Sequence, residues 1–258
     1  MTEKETDWQY GYGPGGAPVV RYLLGEREGR PWADLLEVID PDADPAELAD
    51  RVQADMAGWV VSGPVALGEE LLRRGATTLR HGHTMRLDLA DAPPAEGWTS
   101  WARTPLRDGL RLVPCDRPPE ELAPASTAAF GPGHPDHRPE EGTDESAAVR
   151  RLDELLSGQV IGTVLPSSAL IVDATDRVVA GAVLTDWDGL PWIAHVFRAP
   201  GLGYPGLGRD LLRRAIADVA AGGATEIGLA VTEGNRAQRL YEEMGFTVTR
   251  TSLTVIVP

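Results

Sequence analysis

The segment Pro200-Gly201-Leu202-Gly203-Tyr204-Pro205-Gly206-Leu207-Gly208 constrains this chain more than any other. Before it, residues 192–197 form an apolar run of strand length. After it, Leu207, Leu211, Leu212, Ala215, Ile216 and Val219 recur at helical spacing until Gly222-Gly223 stops the pattern. Four glycines in eight residues, at a strand–helix junction, let the backbone turn tightly and approach a ligand without Cβ interference. Their N–H groups and the positive end of the helix form a cradle for phosphate oxygens. Gly201, Gly203 and Gly206 also spell the G-x-G-x-x-G dinucleotide fingerprint. That fingerprint needs an acidic residue at the end of the next strand, and here Glu226 begins it. Too little chain follows for a nicotinamide domain, so the dinucleotide reading is rejected.

Around this loop the pattern alternates. Residues 110–114 suit a strand, and 118–130 and 145–156 suit helices separated by a Pro-, Gly- and acid-rich loop at 131–144. Residues 169–173 and 178–185 suit a hairpin, and 226–231 a further strand. Asn235 caps a helix carrying Ala237, Leu240, Tyr241 and Met244 on one stripe, with Gln238 completing a capping box and Gly245 ending it. Residues 246–257 close the chain as strand. The order predicts a mixed α/β sheet.

Residues 30–89 repeat the strand–helix–strand–helix–strand order of residues 192–257. They run from a strand at 32–39 through helices opening at Asp44-Pro45 and Pro64 to a terminal hairpin of 77–80 and 84–89. The expected organisation is a degenerate second copy at 1–89, a linker at 90–109 and the main domain at 110–258; an unrelated cap of similar order is the rival. Trp8, Tyr10, Tyr12 and Trp32 are either exposed anchors of an interaction platform or parts of a folded core.

The formal charge of −15 argues against nucleic acid, whose binding draws on clustered Lys and Arg. It either favours the approach of cations such as amines or serves solubility. Cys115 is the only cysteine, which rules out an internal disulfide or a Cys-rich zinc site and fits a reducing cytoplasm. No run approaches the ~18 apolar residues of a membrane span, and the N-terminus lacks the basic start and apolar core of a secretory signal. A cytoplasmic protein without membrane partners is expected, monomeric or homodimeric.

Pro200…Gly206-Leu207-Gly208, followed by Leu211-Leu212, resembles the acyl-CoA pyrophosphate loop of GNAT acyltransferases. Downstream, Val231…Asn235-Arg-Ala237-Gln-Arg-Leu240-Tyr241-Glu-Glu-Met-Gly245-Phe246 resembles that family's second motif. Both stand in the family's order over residues 110–258. The resemblance implies acetyl-CoA as co-substrate, transfer of an acetyl or short acyl group to the primary amine of a small molecule or peptide, and no metal. The alternative is a GNAT fold that holds CoA or another ligand without catalysing. Gly203 stands where the family usually has Arg or Gln, and Tyr204 and Pro205 are also unusual there. Arg209 and Arg213 or Arg214, on the first helical turns, either restore positive charge or are solvated helix arginines.

The cofactor contacts implied are Gly203, Tyr204, Pro205, Gly206, Leu207, Gly208 and Arg209, with Phe197 and Arg198 pairing through their backbone with the pantetheine arm. Asn235 contacts the cofactor, caps its helix, or does both. Tyr241 matches the motif tyrosine and is the expected proton donor to the leaving thiolate, its phenol having an ordinary pKa of ~10; otherwise its ring only fills the stripe. His195, the one titratable side chain within residues 192–197, is either the base that deprotonates the amine or a satisfied core histidine. His134 and His137 approach a substrate from the long loop; as i,i+3 histidines without a fixed third ligand they are weak metal candidates.

Overall fold

The computed structural model describes residues 7–13, 15–27, 29–90, 93–103, 105–138, 144–201 and 204–258. They divide into two compact units, residues 1–83 with 250–258, and residues 84–249. This division falls elsewhere than the boundaries at 89 and 110 expected from sequence.

In the first unit, β1 (Trp8–Tyr12), β2 (Pro18–Arg27) and β3 (Arg30–Val38) form an antiparallel meander. Helix α1 (Pro45–Asp55) starts where the Asp44 carboxylate accepts the Ala46 N–H and Pro45 presets the first turn. Then follow β4 (Val60–Pro64), parallel to β3, and α2 (Val65–Arg73). The last strand of the chain, β11 (Thr247–Ile256), pairs antiparallel with β4, from Ser252↔Pro64 to Ile256↔Val60. Leu36, Val61, Leu67 and Leu71 share a buried core with Leu253 and Val255 of that strand. The fit is close: a Cβ added to Gly68 of α2 would stand 2.7 Å from the Leu253 side chain, so only glycine lets the helix lie this near. Of the four aromatic anchor candidates, Tyr10 and Tyr12 are exposed. Trp8 lies under the Arg21 guanidinium and Trp32 donates to Ser62 Oγ.

The hairpin expected at 77–89 is one strand, β5 (Thr77–Asp88). Gly82, between the two expected arms, is buried within it.

In the second unit the end of β5 is followed by α3 (Trp98–Ala102), β6 (Arg111–Pro114), α4 (Pro119–Ala129) and α5 (Glu145–Leu156). Then come β7 (Ala169–Val172), β8 (Val178–Trp187), β9 (Leu190–Arg198), α6 (Leu207–Ala221), β10 (Glu226–Thr232) and α7 (Ala237–Glu243). The strands are ordered β5-β10-β9-β8-β7-β6, parallel between β9 and β10 and antiparallel from β9 to β6. On one face Leu207, Leu211, Leu212 and Ile216 of α6 bury the stripe read from sequence. On the other, Leu122 of α4 and Leu152 of α5 cover Leu170, Val172 and Phe197.

Residues 90–109, expected to be a linker, include α3, and Trp101 is buried in the core that α6 shares. Trp98, Leu106 and Leu110 pack against the same core. Their spacing is broken by Pro and Gly, so no period reveals them, yet each finds an apolar neighbour.

Candidate functional site

Strand β9 pairs with β8 along its length, to Arg198↔Ala180. With β10 it registers only at Trp192↔Gly228 and Ile193↔Leu229. Beyond Ile193 the two parallel strands part, leaving the β10-side backbone groups of residues 194–198 without a ladder partner. Since Ala199 bonds to Val179, alternation turns the Arg198 backbone to that open side and the Phe197 backbone to β8. Ala199 donates to Val179 O, and the chain turns through Gly201 (φ +117°) towards α6. Gly203, one of the expected cofactor contacts, lies outside the described residues.

Tyr204 packs against the apolar core of α6 and borders a cleft of about 570 Å³ shared with Glu121, Asp176, Arg177 and Ala199. Gly206 is left-handed (φ +89°) and forms the N-cap of α6, while Leu207 is fully buried and pins the turn. A Cβ at Gly206 or Gly208 would meet none of the described residues within 4 Å. The first amides of α6 therefore open onto free space, with the helix dipole behind them.

The arginines expected to add positive charge are engaged. Arg209 pairs with Glu243 at 2.6 Å. Arg213 stacks on Trp101 at 5.1 Å and lies 3.8 Å from Glu96, and Arg214 donates to Ala102 O. Arg107 donates to Pro205 O within the loop.

His195 is buried, its Nε2 2.8 Å from Ser126 Oγ and its ring stacked on Phe130 at 5.3 Å. Burial, with Arg151 and Arg138 adding to it and Asp136 opposing, pushes its pKa down to about 3. It stays neutral at any physiological pH, and so weak a base gains almost nothing by taking a proton from an ammonium. Its Nε2 has Ser126 as partner, which suits the core-histidine alternative.

Tyr241 is buried on α7, edge-on to Phe246 at 5.9 Å. Burial, helped by the Asp136 carboxylate, lifts its phenol to about 12. Asn235 Oδ1 accepts the Ala237 N–H at 2.8 Å and so caps α7, while its Nδ2 donates to Asp136 Oδ2 at 2.9 Å. The expected capping box does not close: the Gln238 side-chain amide donates to Glu242 instead.

Asp136 gathers this end of the site. It accepts from Thr232 Oγ1 and from Asn235, and its charge acts on both Tyr241 and His195. Its neighbours His134 and His137 are tied into the loop. His134 Nδ1 accepts the Asp136 N–H and its ring meets Phe130 edge-on, while His137 Nδ1 lies 2.7 Å from Phe130 O. No group of three potential metal ligands occurs among the described residues. Sequence reading passed over Asp136 between the two histidines, and also Ser126, whose signal was a hydroxyl on the buried face of α4.

Residues 126–246 match the acetyltransferase (GNAT) family model. No curated protein matches the chain. Among solved structures, a GCN5-related N-acetyltransferase from Sphaerobacter thermophilus superposes with a TM-score of 0.62 at 18% identity, covering 96% of this chain and 80% of that one. A tandem GNAT protein from the clavulanic acid biosynthesis pathway gives 0.56 at 16% identity, over 94% of this chain and 80% of its own. A GCN5-related N-acetyltransferase from Kribbella flavida gives 0.51 at 18%, over 93% and 87%. The fold is thus the mixed α/β GNAT fold expected from the motifs.

Proposed function

We propose that this chain is an N-acyltransferase that moves an acetyl or short acyl group from acetyl-CoA to a primary amine. The observation that carries the reading is the open edge of β9 running into left-handed Gly206 at the head of α6. The N–H and C=O groups that alternate residues of 194–198 turn away from β8 suit an extended pantetheine arm, as an added strand would pair. The space beside Gly206 and Gly208 suits phosphate oxygens drawn by the α6 amides.

In the reaction the acceptor ammonium first gives one proton to solvent, and the neutral amine nitrogen attacks the thioester carbonyl. The C–N bond forms, the C–S bond breaks and CoA leaves as a thiol, while the second proton lost from nitrogen returns to the Tyr241 phenolate. Tyr241 supplies the thiol proton. A phenol near pKa 12 is always protonated but donates reluctantly, and part of that reluctance comes from Asp136. An acceptor ammonium that arrives beside Asp136 offsets the carboxylate's field and so removes the smaller, Asp136 share of that reluctance, burial remaining the larger. The same carboxylate selects a cationic acceptor, in keeping with the net charge of −15.

A second reading, a fold that holds CoA without catalysing, draws on the loss of His195 as a base. One assay separates them. Mixing the protein with acetyl-CoA and a panel of amines, and following free thiol, gives acceptor-dependent release if the protein is an enzyme. Binding without turnover across a broad panel overturns that reading in favour of the module.

For residues 30–89 the degenerate second copy remains our proposal. Supporting it, β3 and β4 register in parallel at only two positions, Trp32↔Val60 and Ala33↔Val61, as β9 and β10 do.

A further inference from the structure

Between Arg198 and Arg209 the sequence carries no basic residue. Arg198 turns its guanidinium to Ala199 O at 3.0 Å, and Arg209 is paired with Glu243. A doubly charged diphosphate at the glycine loop would thus meet amides and a helix dipole, but no cation supplied by the loop, on a chain of net charge −15. A guanidinium does reach the loop from 98 residues upstream, where Arg107 Nη2 donates to Pro205 O. Its position is built in. Leu110 N–H donates to Arg107 O, closing a turn, and Leu106 and Leu110 on either side of it pack into the core shared with α6. The side chain itself is exposed, and one carbonyl engages only one of its five N–H donors.

We propose that Arg107 is the cation that meets the diphosphate of CoA at the glycine loop, so that the segment before the acyltransferase motifs forms part of the co-substrate site. A planar fork of donors already anchored beside Pro205 suits bidentate contact with phosphate oxygens. The inference rests on the acyl-CoA reading of the loop.

The test is calorimetric binding of CoA to the wild-type chain and to Arg107→Gln and Arg107→Lys, each over a series of salt concentrations. Arg107→Gln is expected to weaken binding about 10- to 100-fold at low salt. The deficit should shrink as salt rises, because a charge contact is screened, and Arg107→Lys should recover part of the affinity. A wild-type chain that does not bind CoA removes the acyl-CoA reading and this inference with it. Wild-type binding with unchanged affinity in Arg107→Gln overturns the inference alone. So does a deficit that ignores salt and is shared by Arg107→Lys, which would make Arg107 a shaper of the loop through Pro205.

Discussion

Lowering the pH should destabilise this protein through one buried ring. His195 is held neutral at about 3 in the folded chain against an ordinary 6.5 when unfolded. Because the folded pKa is the lower, unfolding takes up a proton at any pH between the two. Stability is therefore full above 6.5, falls as pH falls through 6.5, and levels off near pH 3. With those values the loss is about 2 kcal/mol at pH 5, approaching ~5 kcal/mol below pH 3. Against a typical total of ~5–15 kcal/mol this is a large fraction. At pH 5 it moves a urea midpoint down by roughly 1 M. The carboxylates with depressed pKa values, Asp173, Asp176, Glu70, Glu96 and Asp144, lose their contributions only below their ordinary 3.8 to 4.5. Burial raises Asp34 and Asp218, whose protonation as pH falls acts with the opposite sign, so the contribution of the imidazole is the difference between the wild type and a variant without it. Urea unfolding of the wild type and of His195→Gln should be followed from pH 7 to 5. The variant is less stable at pH 7, having lost the stack on Phe130, but its curve should lack the fall that the imidazole gives the wild type. Parallel curves would mean that the ring is protonated in the fold, and would return His195 to the list of candidate bases.

Tyr241→Phe keeps the ring against Phe246 and removes only the hydroxyl, so its melting temperature should barely move while steady-state kcat drops ~10²–10⁴-fold with acetyl-CoA affinity unchanged. Retention of more than about a third of kcat while chemistry limits the rate would leave Tyr241 a packing residue. Gly208→Val places a side chain in the open space beside α6 at a position without a positive φ, and should abolish acetyl-CoA binding in calorimetry without unfolding the chain. Gly206→Val should abolish it too, but with ~1–2 kcal/mol of backbone strain from its left-handed φ visible in the melt.

What was legible in the sequence was local. The α6 stripe, the capped start of α1 and the glycine junction each declare themselves within a dozen residues, and the structure has them there. What was not legible depended on partners far along the chain. The neutrality of His195 needs its burial and the charges of Arg151 and Arg138, and its ring nitrogen meets Ser126, 69 positions away. The helix within the expected linker is fixed by Trp101 meeting the core of α6. The expected hairpin of 77–80 and 84–89 is one strand because tertiary pairing carries the chain straight through. Asp136 carried no signal at all: a single acid in a loop says nothing until Thr232 and Asn235 are seen to converge on it.

The sheet of residues 1–83 is completed by residues 250–258, which sets an order of events during synthesis. Domains ordinarily fold as they leave the ribosome, N-terminal first, at ~5–20 residues per second. Here β4 has no antiparallel partner, and the Leu253 that fills the space over Gly68 does not exist, until some 167 further residues are made, roughly 8–33 s later. Residues 84–249 are contiguous and need not wait. The unit whose translation begins first is thus the one that matures last, and while it waits its exposed strand edge is what a nascent-chain chaperone would have to shield.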